Sequence, residues 1–399
     1  MKTKVKTKIV FSTIYILVFI CVLIFLSQWF LTSNDPGTSL FFYYSNLVFG
    51  HLLPYRDFLF EYPPLAILFM IIPRFFTFNF AIYQILFWII LCLLGLFGLW
   101  ITIDLTEKLS ITKKYFVILL YIFLLPILGP IALFRFDLIP GILVLIALWL
   151  KKNNKSGWAW FVLGLAIATK LYPILLVPFF LIDDIKNIKI LIRNIIIFFL
   201  SIFLAILPWL NCLKSLDVFI KYQTNRGVQI ESLWSNLLLL NHQFFAKPIE
   251  LISEAGAIGV VPFPHYFVPL SFIFLIIGYL FLVYLYFKNR QLLTISFLAI
   301  LLFILTNRVF SPQYLAWLIM LFPLIFIEIK NKNVIIISTI IFILATFLTS
   351  LMYPYYYISG GLLSFSAGGI YALTFRNALL LVLFFVLITQ PKNFAGGRE

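Results

Sequence analysis

Residues 80–103 read FAIYQILFWIILCLLGLFGLWITI and contain no charged side chain. As an α-helix, this stretch is long enough to cross a hydrocarbon core about 30 Å thick. Similar apolar runs recur along all 399 residues of the chain, which is 63% hydrophobic and only 11% charged. The runs are continuous rather than alternating, which excludes a membrane β-barrel. The sequence therefore predicts an all-α polytopic membrane protein, a helical bundle.

Small clusters of basic residues between the apolar runs predict how the helices are oriented. Lys2, Lys4, Lys6 and Lys8 precede the first run, and because cytoplasmic segments collect Lys and Arg, they put the N-terminus in the cytoplasm. The later clusters then give about twelve crossings with both termini cytoplasmic. Topology thus explains the net charge of +15, and no single basic stripe indicates a nucleic-acid partner.

Two longer segments fall outside the membrane in this topology, residues 33–79 and 211–265, and neither is long enough to form a sizeable second domain. We therefore treat residues 1–399 as one membrane domain with these loops on its active-site side. Within the first loop, the aromatic stretch SLFFYYSNLVFG (39–50) suits an interfacial helix. The stretch PPLAILFMIIPRFF (63–76) is too short to cross and is expected to dip into the membrane or lie flat.

The segment WAWFVLGLAIATKLYPILLVPFFLI (158–182) is interrupted in its middle by Lys170 and Tyr172-Pro173. Proline disfavours a continuous helix at this point. Two short crossings are therefore predicted, with Lys170 on the outer side.

Several charges lie at or near the predicted outer ends of helices, where they should face a polar cavity because burying an ion in lipid is costly. Any single carboxylate there suits a helix cap or a solvated loop equally well. As a set, the charges suit a reaction in which an anionic phosphate departs while a hydroxyl loses its proton to a carboxylate. The carboxylates are Asp35, Asp57, Glu61, Asp137 and Glu231, and the cations are Arg56, Arg135, Lys170, Arg226 and Arg308.

Five segments in order resemble glycosyltransferase family 87, the polyprenol-phosphate-mannose-dependent mannosyltransferases of the GT-C class. They are GHLLPYRDFLFEYPPL (50–65), RFDLIPGILVLIAL (135–148), GLAIATKLYPILLVP (164–178), YQTNRGVQIESLWSN (222–236) and NRVFSPQYLAWLIMLFPL (307–324). The resemblance spans residues 30–325 and implies a GT-C-type bundle. It also implies inverting transfer of a hexose, with mannose expected, from a polyprenyl-phosphate donor to a lipid- or glycan-linked acceptor at the extracytoplasmic face of the cell membrane.

The same resemblance implies roles for individual residues. The GT-C class carries its catalytic aspartate soon after the first helix, which points to Asp35 as the general base, with Asp57 and Glu61 as alternatives in the same loop. Asp57 and Glu61 could instead pair with Arg56 or anchor the loop. The five cations are expected to bind the donor phosphate. The remaining pocket residues are Tyr55, Asp137, Tyr172, Glu231, Gln313 and Tyr314.

Other readings of these residues stay open. Arg226 and Glu231, five residues apart, suit a surface ion pair within a loop helix nearly as well as a place in the pocket. The same two alternatives hold for Arg135 and Asp137, two residues apart. Lys170 and Arg308 could be cations that snorkel to the membrane surface. Interfacial aromatic belts explain Trp234, Tyr314 and Trp317 better than sugar stacking does.

Neither a metal nor another cofactor is expected, since the sequence has no DxD-like carboxylate pair on the outer side. The rival functions are a transporter or flippase of lipid-linked sugars, or an assembly subunit without chemistry.

Overall fold

The computed structural model describes residues 2–30, 36–215, 221, 226–254, 256–289, 291–357 and 361–389. Most of these residues are helical. The α-helices are, in chain order, α1 (Lys2–Phe30), α2 (Pro36–Phe49), α3 (Ala66–Ile71), α4 (Phe80–Leu105), α5 (Ile111–Leu128), α6 (Pro130–Phe134), α7 (Leu138–Lys152), α8 (Ser156–Thr169), α9 (Val177–Asp184), α10 (Ile188–Ile206), α11 (Leu233–Phe245), α12 (Phe267–Asn289), α13 (Leu292–Thr306), α14 (Leu315–Ile319), α15 (Phe322–Ile325), α16 (Lys332–Ser350) and α17 (Ala367–Ile388).

Tighter or wider helical turns extend several of these helices. The 3₁₀ turns cover Pro73–Phe75, Tyr172–Leu176, Leu207–Ser215 and Pro312–Tyr314, and a π-helical turn covers Leu351–Tyr356.

The long helices have the length and composition of membrane spans. In the described ranges, seven segments qualify, and they are Lys4–Phe25, Phe80–Leu105, Ile111–Leu128, Ile188–Asn211, Phe267–Lys288, Lys332–Tyr353 and Ala367–Ile388. Further apolar helices are shorter, at 10–17 residues. The protein is therefore a polytopic helical membrane protein, and the total of about twelve crossings stays a prediction.

Exposed apolar residues form stripes that suit contact with lipid. On α10 the large exposed side chains recur every three or four residues, which places them on one helix face. They include Ile188, Ile192, Ile196, Phe199 and Phe203, and Leu200 and Leu204 lie beside the last two. The opposite face of α10 is packed against α8, where a Cβ on Gly164 would lie 1.9 Å from Ser201 Oγ. Glycine is required there because the two helices approach so closely.

The predicted break at Lys170 is confirmed. Helix α8 ends at Thr169, and Lys170 adopts an extended conformation with φ −157° and ψ 143°. The chain then resumes as the 3₁₀ turn Tyr172–Leu176 and α9, because Pro173 has no N–H to continue the helix. Helix α2 likewise forms across the aromatic stretch predicted to be an interfacial helix, whereas its depth in a membrane stays a prediction.

Helices α7 and α8 form an antiparallel hairpin, joined by a tight turn in which Asn154 has a φ of 59°. Because α7 begins directly after Asp137 and α8 ends directly before Lys170, these two residues meet at one end of the hairpin. Lys151, in the last turn of α7, lies at the other end. The 15 residues of α7 separate the two ends by roughly 22 Å. We call them the cavity end and the lysine-rich end.

A small sheet covers the cavity end. Strands β1 (Glu250–Glu254) and β2 (Ala257–Val261) pair antiparallel. The segment 228–230 adds to β2, with N–H···O distances of 2.9 Å from Ile230 to Ile258 and 3.0 Å from Val260 to Val228. Ser232 then caps α11 by accepting a hydrogen bond from the Ser235 N–H. These bonds fix Glu231, between the strand and the helix, at a defined place.

Candidate active site

A cavity of about 690 Å³ opens at the cavity end of the hairpin. Its wall combines the first loop, α6 and the segment between α6 and α7, the segment after α8, the segment before α11, strand β2 and the segments that follow α13 and α16. Nine of the residues predicted for the site line it, although they are far apart in the chain. They are Glu61, Arg135, Lys170, Tyr172, Arg226, Glu231, Arg308, Gln313 and Tyr314.

Lys170 points inward rather than to the membrane surface. Its side chain is 15% exposed and forms an ion pair with Asp137, which is 1% exposed. Asp137 Oδ1 accepts hydrogen bonds from Lys170 Nζ and, at 2.8 Å, from Trp317 Nε1. Asp137 itself is not part of the cavity wall. Asp137 therefore contacts Lys170 on the side away from the cavity. Arg135 does not share this contact and bonds Tyr353 instead.

Aromatic rings surround the Lys170 ammonium. Its Nζ lies 5.7 Å from the ring centre of Tyr62, 5.6 Å from that of Tyr314 and 5.1 Å from that of Trp317. Such ring faces attract a cation. The lysine is thus held by one carboxylate and three rings.

Trp317 is the middle ring of a three-ring stack. Its centre is 4.0 Å from that of Tyr172 and 4.1 Å from that of Tyr314. The indole of Trp317 is only 2% exposed and packs against both tyrosine rings, which leaves little of its surface for a sugar. Trp234 packs on Phe267 and donates to the Thr306 carbonyl at 2.8 Å. Both tryptophans therefore have packing roles.

In the described part of the first loop, Glu61 is the carboxylate that lines the cavity. Glu61 Oε2 lies 3.5 Å from Arg226 Nη2. Arg226 therefore reaches back to the first loop, and the suggested pair with Glu231 does not form.

Asp57 does not line the cavity and instead forms hydrogen bonds within the first loop. It accepts hydrogen bonds from Arg56 Nε at 2.9 Å and from the Leu53 N–H at 2.8 Å. The hydrogen bond from Arg56, with help from Leu53, lowers the pKa of Asp57 to about 2. Arg56 is 52% exposed. Tyr55, also outside the wall, donates its hydroxyl to the Tyr62 carbonyl. These three residues anchor the loop that carries Glu61.

Asp35, the residue that the resemblance implies as general base, lies outside the described residues. Its role stays a prediction. Among Asp57 and Glu61, the alternatives in the same loop, Glu61 is the one that lines the cavity.

Glu231 lines the cavity and pairs with a residue that the sequence analysis missed. Arg376 Nη2 donates to Glu231 Oε2 at 3.2 Å and to the Glu231 carbonyl at 3.0 Å. Tyr357 donates to Oε1 at 2.8 Å. Both members of the ion pair are fully buried. Burial raises the pKa of Glu231, an effect that Arg376 and Tyr357 oppose.

A signal for Arg376 was present in the sequence. It is a lone cation within the apolar helix α17, and an ion at such a position must have a partner because burying it alone is costly. A second missed residue is Tyr353, whose hydroxyl accepts a hydrogen bond from Arg135 Nη2 at 2.8 Å. Tyr353 and Tyr357 both line the cavity, so the last quarter of the chain completes its wall.

The charges of the site do not cancel. Among the described residues, the wall carries Arg135, Lys170, Arg226 and Arg308 against Glu61 and Glu231. With the buried partners Asp137 and Arg376 included, five cations face three carboxylates. In the same part of the chain, no three His, Cys, Asp or Glu side chains are grouped as ligands for a metal ion. The cavity therefore suits an anionic ligand.

A comparison with protein families identifies a related family. A model described as glycosyltransferase family 87 matches residues 60–312. The matched range contains Glu61 and all four cations of the wall, whereas Tyr353, Tyr357 and Arg376 lie beyond it. A search of curated proteins finds no match.

Proposed function

Because this chain belongs to glycosyltransferase family 87 and is a membrane glycosyltransferase, we propose that it transfers a hexose from a polyprenyl-phosphate donor to an acceptor hydroxyl. Mannose is the expected sugar, and a lipid- or glycan-linked molecule is the expected acceptor. The reaction takes place at the extracytoplasmic face of the cell membrane.

The observation that carries this proposal is the excess of positive charge around the cavity. A polyprenyl-phosphate sugar is a phosphodiester with one negative charge, and the departing polyprenyl phosphate is a monoester with a charge of about −1.5 to −2 at neutral pH. Negative charge therefore grows at the phosphate as the sugar leaves. Fixed cations at that point stabilise the transition state more than the ground state.

The position of the cavity supports a lipid-linked donor. The opposite end of the α7–α8 hairpin carries Lys151, Lys152 and Lys155, and such clusters favour the cytoplasmic side. The cavity end is then extracytoplasmic. Nucleotide sugars remain in the cytoplasm, so a transferase that works outside needs a donor carried by lipid.

In the proposed reaction, the acceptor oxygen attacks the anomeric carbon from the side opposite the phosphate. One C–O bond forms, the C–O bond to the phosphate breaks, and the configuration inverts. A carboxylate takes the proton of the acceptor hydroxyl, a role that we assign to Asp35, with Glu61 and then Asp57 as alternatives. Lys170, Arg226 and Arg308 hold the phosphate.

Transport of a lipid-linked sugar is the alternative function, because charges within a bundle also mark transport paths. A path through the hairpin region would need charges between its ends. Helices α7 and α8 carry charges only at or beyond their ends, which favours a site at one membrane face.

The test is transfer of radiolabelled mannose from polyprenyl-phosphate mannose in membranes that contain the full-length protein. We expect transfer by the wild type, loss of transfer in Asp35→Asn and retained transfer in Asp57→Asn. Retained transfer in Asp35→Asn with loss in Glu61→Gln would move the base to Glu61. If the wild type transfers nothing from polyprenyl-phosphate mannose or from other polyprenyl-phosphate hexoses, the donor class is wrong.

A further inference from the structure

The Lys170 ammonium has more N–H donors than the described residues use. An ammonium carries three N–H donors. Within the described part of the chain, its hydrogen-bond acceptor is Asp137 Oδ1. The side chain lines the cavity, so the remaining N–H groups are available to a ligand there.

Asp137 cannot serve as a ligand-binding group itself. It is 1% exposed and does not line the cavity. Its Oδ1 accepts both hydrogen bonds, from Lys170 and from Trp317, and Oδ2 accepts none from the described residues. Although Asp137 directly precedes α7, its side chain does not cap the helix. The carboxylate is thus committed to Lys170 and Trp317 rather than to local structure.

A lysine needs such support to act as a fixed cation. Its four-carbon stem is flexible, and the loss of side-chain entropy opposes holding it in one place. Asp137 and the rings of Tyr62, Tyr314 and Trp317 fix the ammonium before a ligand arrives. Trp317 in turn fixes the carboxylate, because its indole N–H bonds the same oxygen and its ring is clamped between Tyr172 and Tyr314.

From this geometry we infer that Asp137 is a positioning residue: it holds the Lys170 ammonium at the cavity wall, where the remaining N–H groups of Lys170 bind the phosphate oxygens of the polyprenyl-phosphate donor. The inference rests on the proposed function. Asp137 acts only through Lys170, and the indole N–H of Trp317 acts through Asp137.

A double-mutant cycle tests this inference. Asp137→Asn keeps the size of the side chain and an oxygen for Trp317 but removes the charge, and Lys170→Met removes the ammonium and keeps the apolar stem. We expect each single change to lower kcat/KM for polyprenyl-phosphate mannose by about 10²-fold, the usual loss for one donor to a developing anion. In the Lys170→Met background, Asp137→Asn should cause no further loss beyond about 2-fold. Losses that multiply, or an unchanged Asp137→Asn enzyme, overturn the inference.

Trp317→Phe provides a second cycle should Asp137→Asn fail to fold. It removes the N–H donor to Asp137 but keeps an aromatic ring between the two tyrosines. It should lower kcat/KM in the wild-type background and leave the Lys170→Met enzyme unchanged. Equal losses in both backgrounds would mean a purely structural role.

The matched control is the ion pair at the other end of the same hairpin. The double variant Lys151→Met/Asp184→Asn removes a buried lysine–aspartate pair that does not border the cavity. Its kcat/KM per folded protein should equal that of the wild type. The wild-type assay separates the two proposals: no transfer by the wild type refutes the donor class, whereas transfer with multiplying losses refutes only the role of Asp137.

Discussion

Two buried lysine–aspartate pairs lie at opposite ends of the α7–α8 hairpin, and they differ in how completely their hydrogen bonds are used. At the lysine-rich end, Lys151 Nζ donates to Asp184 Oδ1 at 2.6 Å, to Ser156 Oγ at 3.0 Å and to the Phe180 carbonyl at 3.5 Å. Asp184 also accepts from Trp160 at 2.7 Å and Asn194 at 2.8 Å. All three N–H donors of Lys151 and both carboxylate oxygens of Asp184 thus have hydrogen-bond partners, and we call this pair saturated.

At the cavity end, the pair is incomplete on both sides. Among the described residues, Lys170 has Asp137 as its hydrogen-bond acceptor, and Asp137 Oδ2 has no donor. A buried ion pair offsets its desolvation cost only when its remaining lone pairs and protons are satisfied. The saturated pair therefore serves the fold. At the incomplete pair, the free N–H groups of Lys170 face the cavity, where a ligand can bind them.

The largest expected effect comes from breaking the saturated pair. Lys151→Met leaves Asp184 buried without its cation, and we expect a loss of about 3–5 kcal/mol in the free energy of unfolding. Transfer activity per folded protein should stay unchanged because the pair does not border the cavity. Thermal unfolding in detergent, together with the transfer assay, measures both. An unchanged unfolding temperature, or a loss of activity like that of Lys170→Met, would contradict the contrast between the two ends.

A smaller loss of stability is expected when one hydrogen-bond partner of the saturated pair is removed and both charges remain. Ser156 Oγ lies 2.9 Å from Asp184 Oδ2 and 3.0 Å from Lys151 Nζ. Ser156→Ala should lower the free energy of unfolding by about 1–3 kcal/mol. Thr169→Ala, at the other end of α8, removes a hydroxyl that bonds the backbone of its own helix at the Ala166 carbonyl; it is the comparison variant and should cost less. An equal or larger loss in Thr169→Ala would mean that saturation of the ion pair contributes little.

The smallest effect is expected for the exposed pair in the first loop. Arg56 lowers the pKa of Asp57 to about 2, from an ordinary value of 3.8. The pair's contribution to stability is therefore fully present above about pH 4 and is lost as the pH falls through about 2. Asp57→Asn should unfold slightly more readily than the wild type at neutral pH, and this difference should vanish in acid. A difference that persists at the lowest pH would exclude the charge as its source.

Hydropathy predicted the helical bundle, and the Tyr172-Pro173 pair predicted the break after α8, because both follow from local chemistry. The charge partners could not be read in the same way. Arg226 lies five residues from Glu231, yet it pairs with Glu61, while Glu231 pairs with Arg376. Such pairs depend on which helix ends the fold brings together. Arg376 was missed because no motif surrounds it.

The charges at the two ends of the hairpin also bear on how the chain enters the membrane. Helices α7 and α8 have 15 and 14 residues, or roughly 22 and 21 Å, which is less than the hydrocarbon thickness of about 30 Å. Inserted singly, each helix would bring unneutralised ionic groups close to the lipid. Inserted together, the hairpin lets Asp137 neutralise Lys170 as the two helices meet. The biosynthetic machinery is therefore expected to release α7 and α8 into the bilayer as one unit.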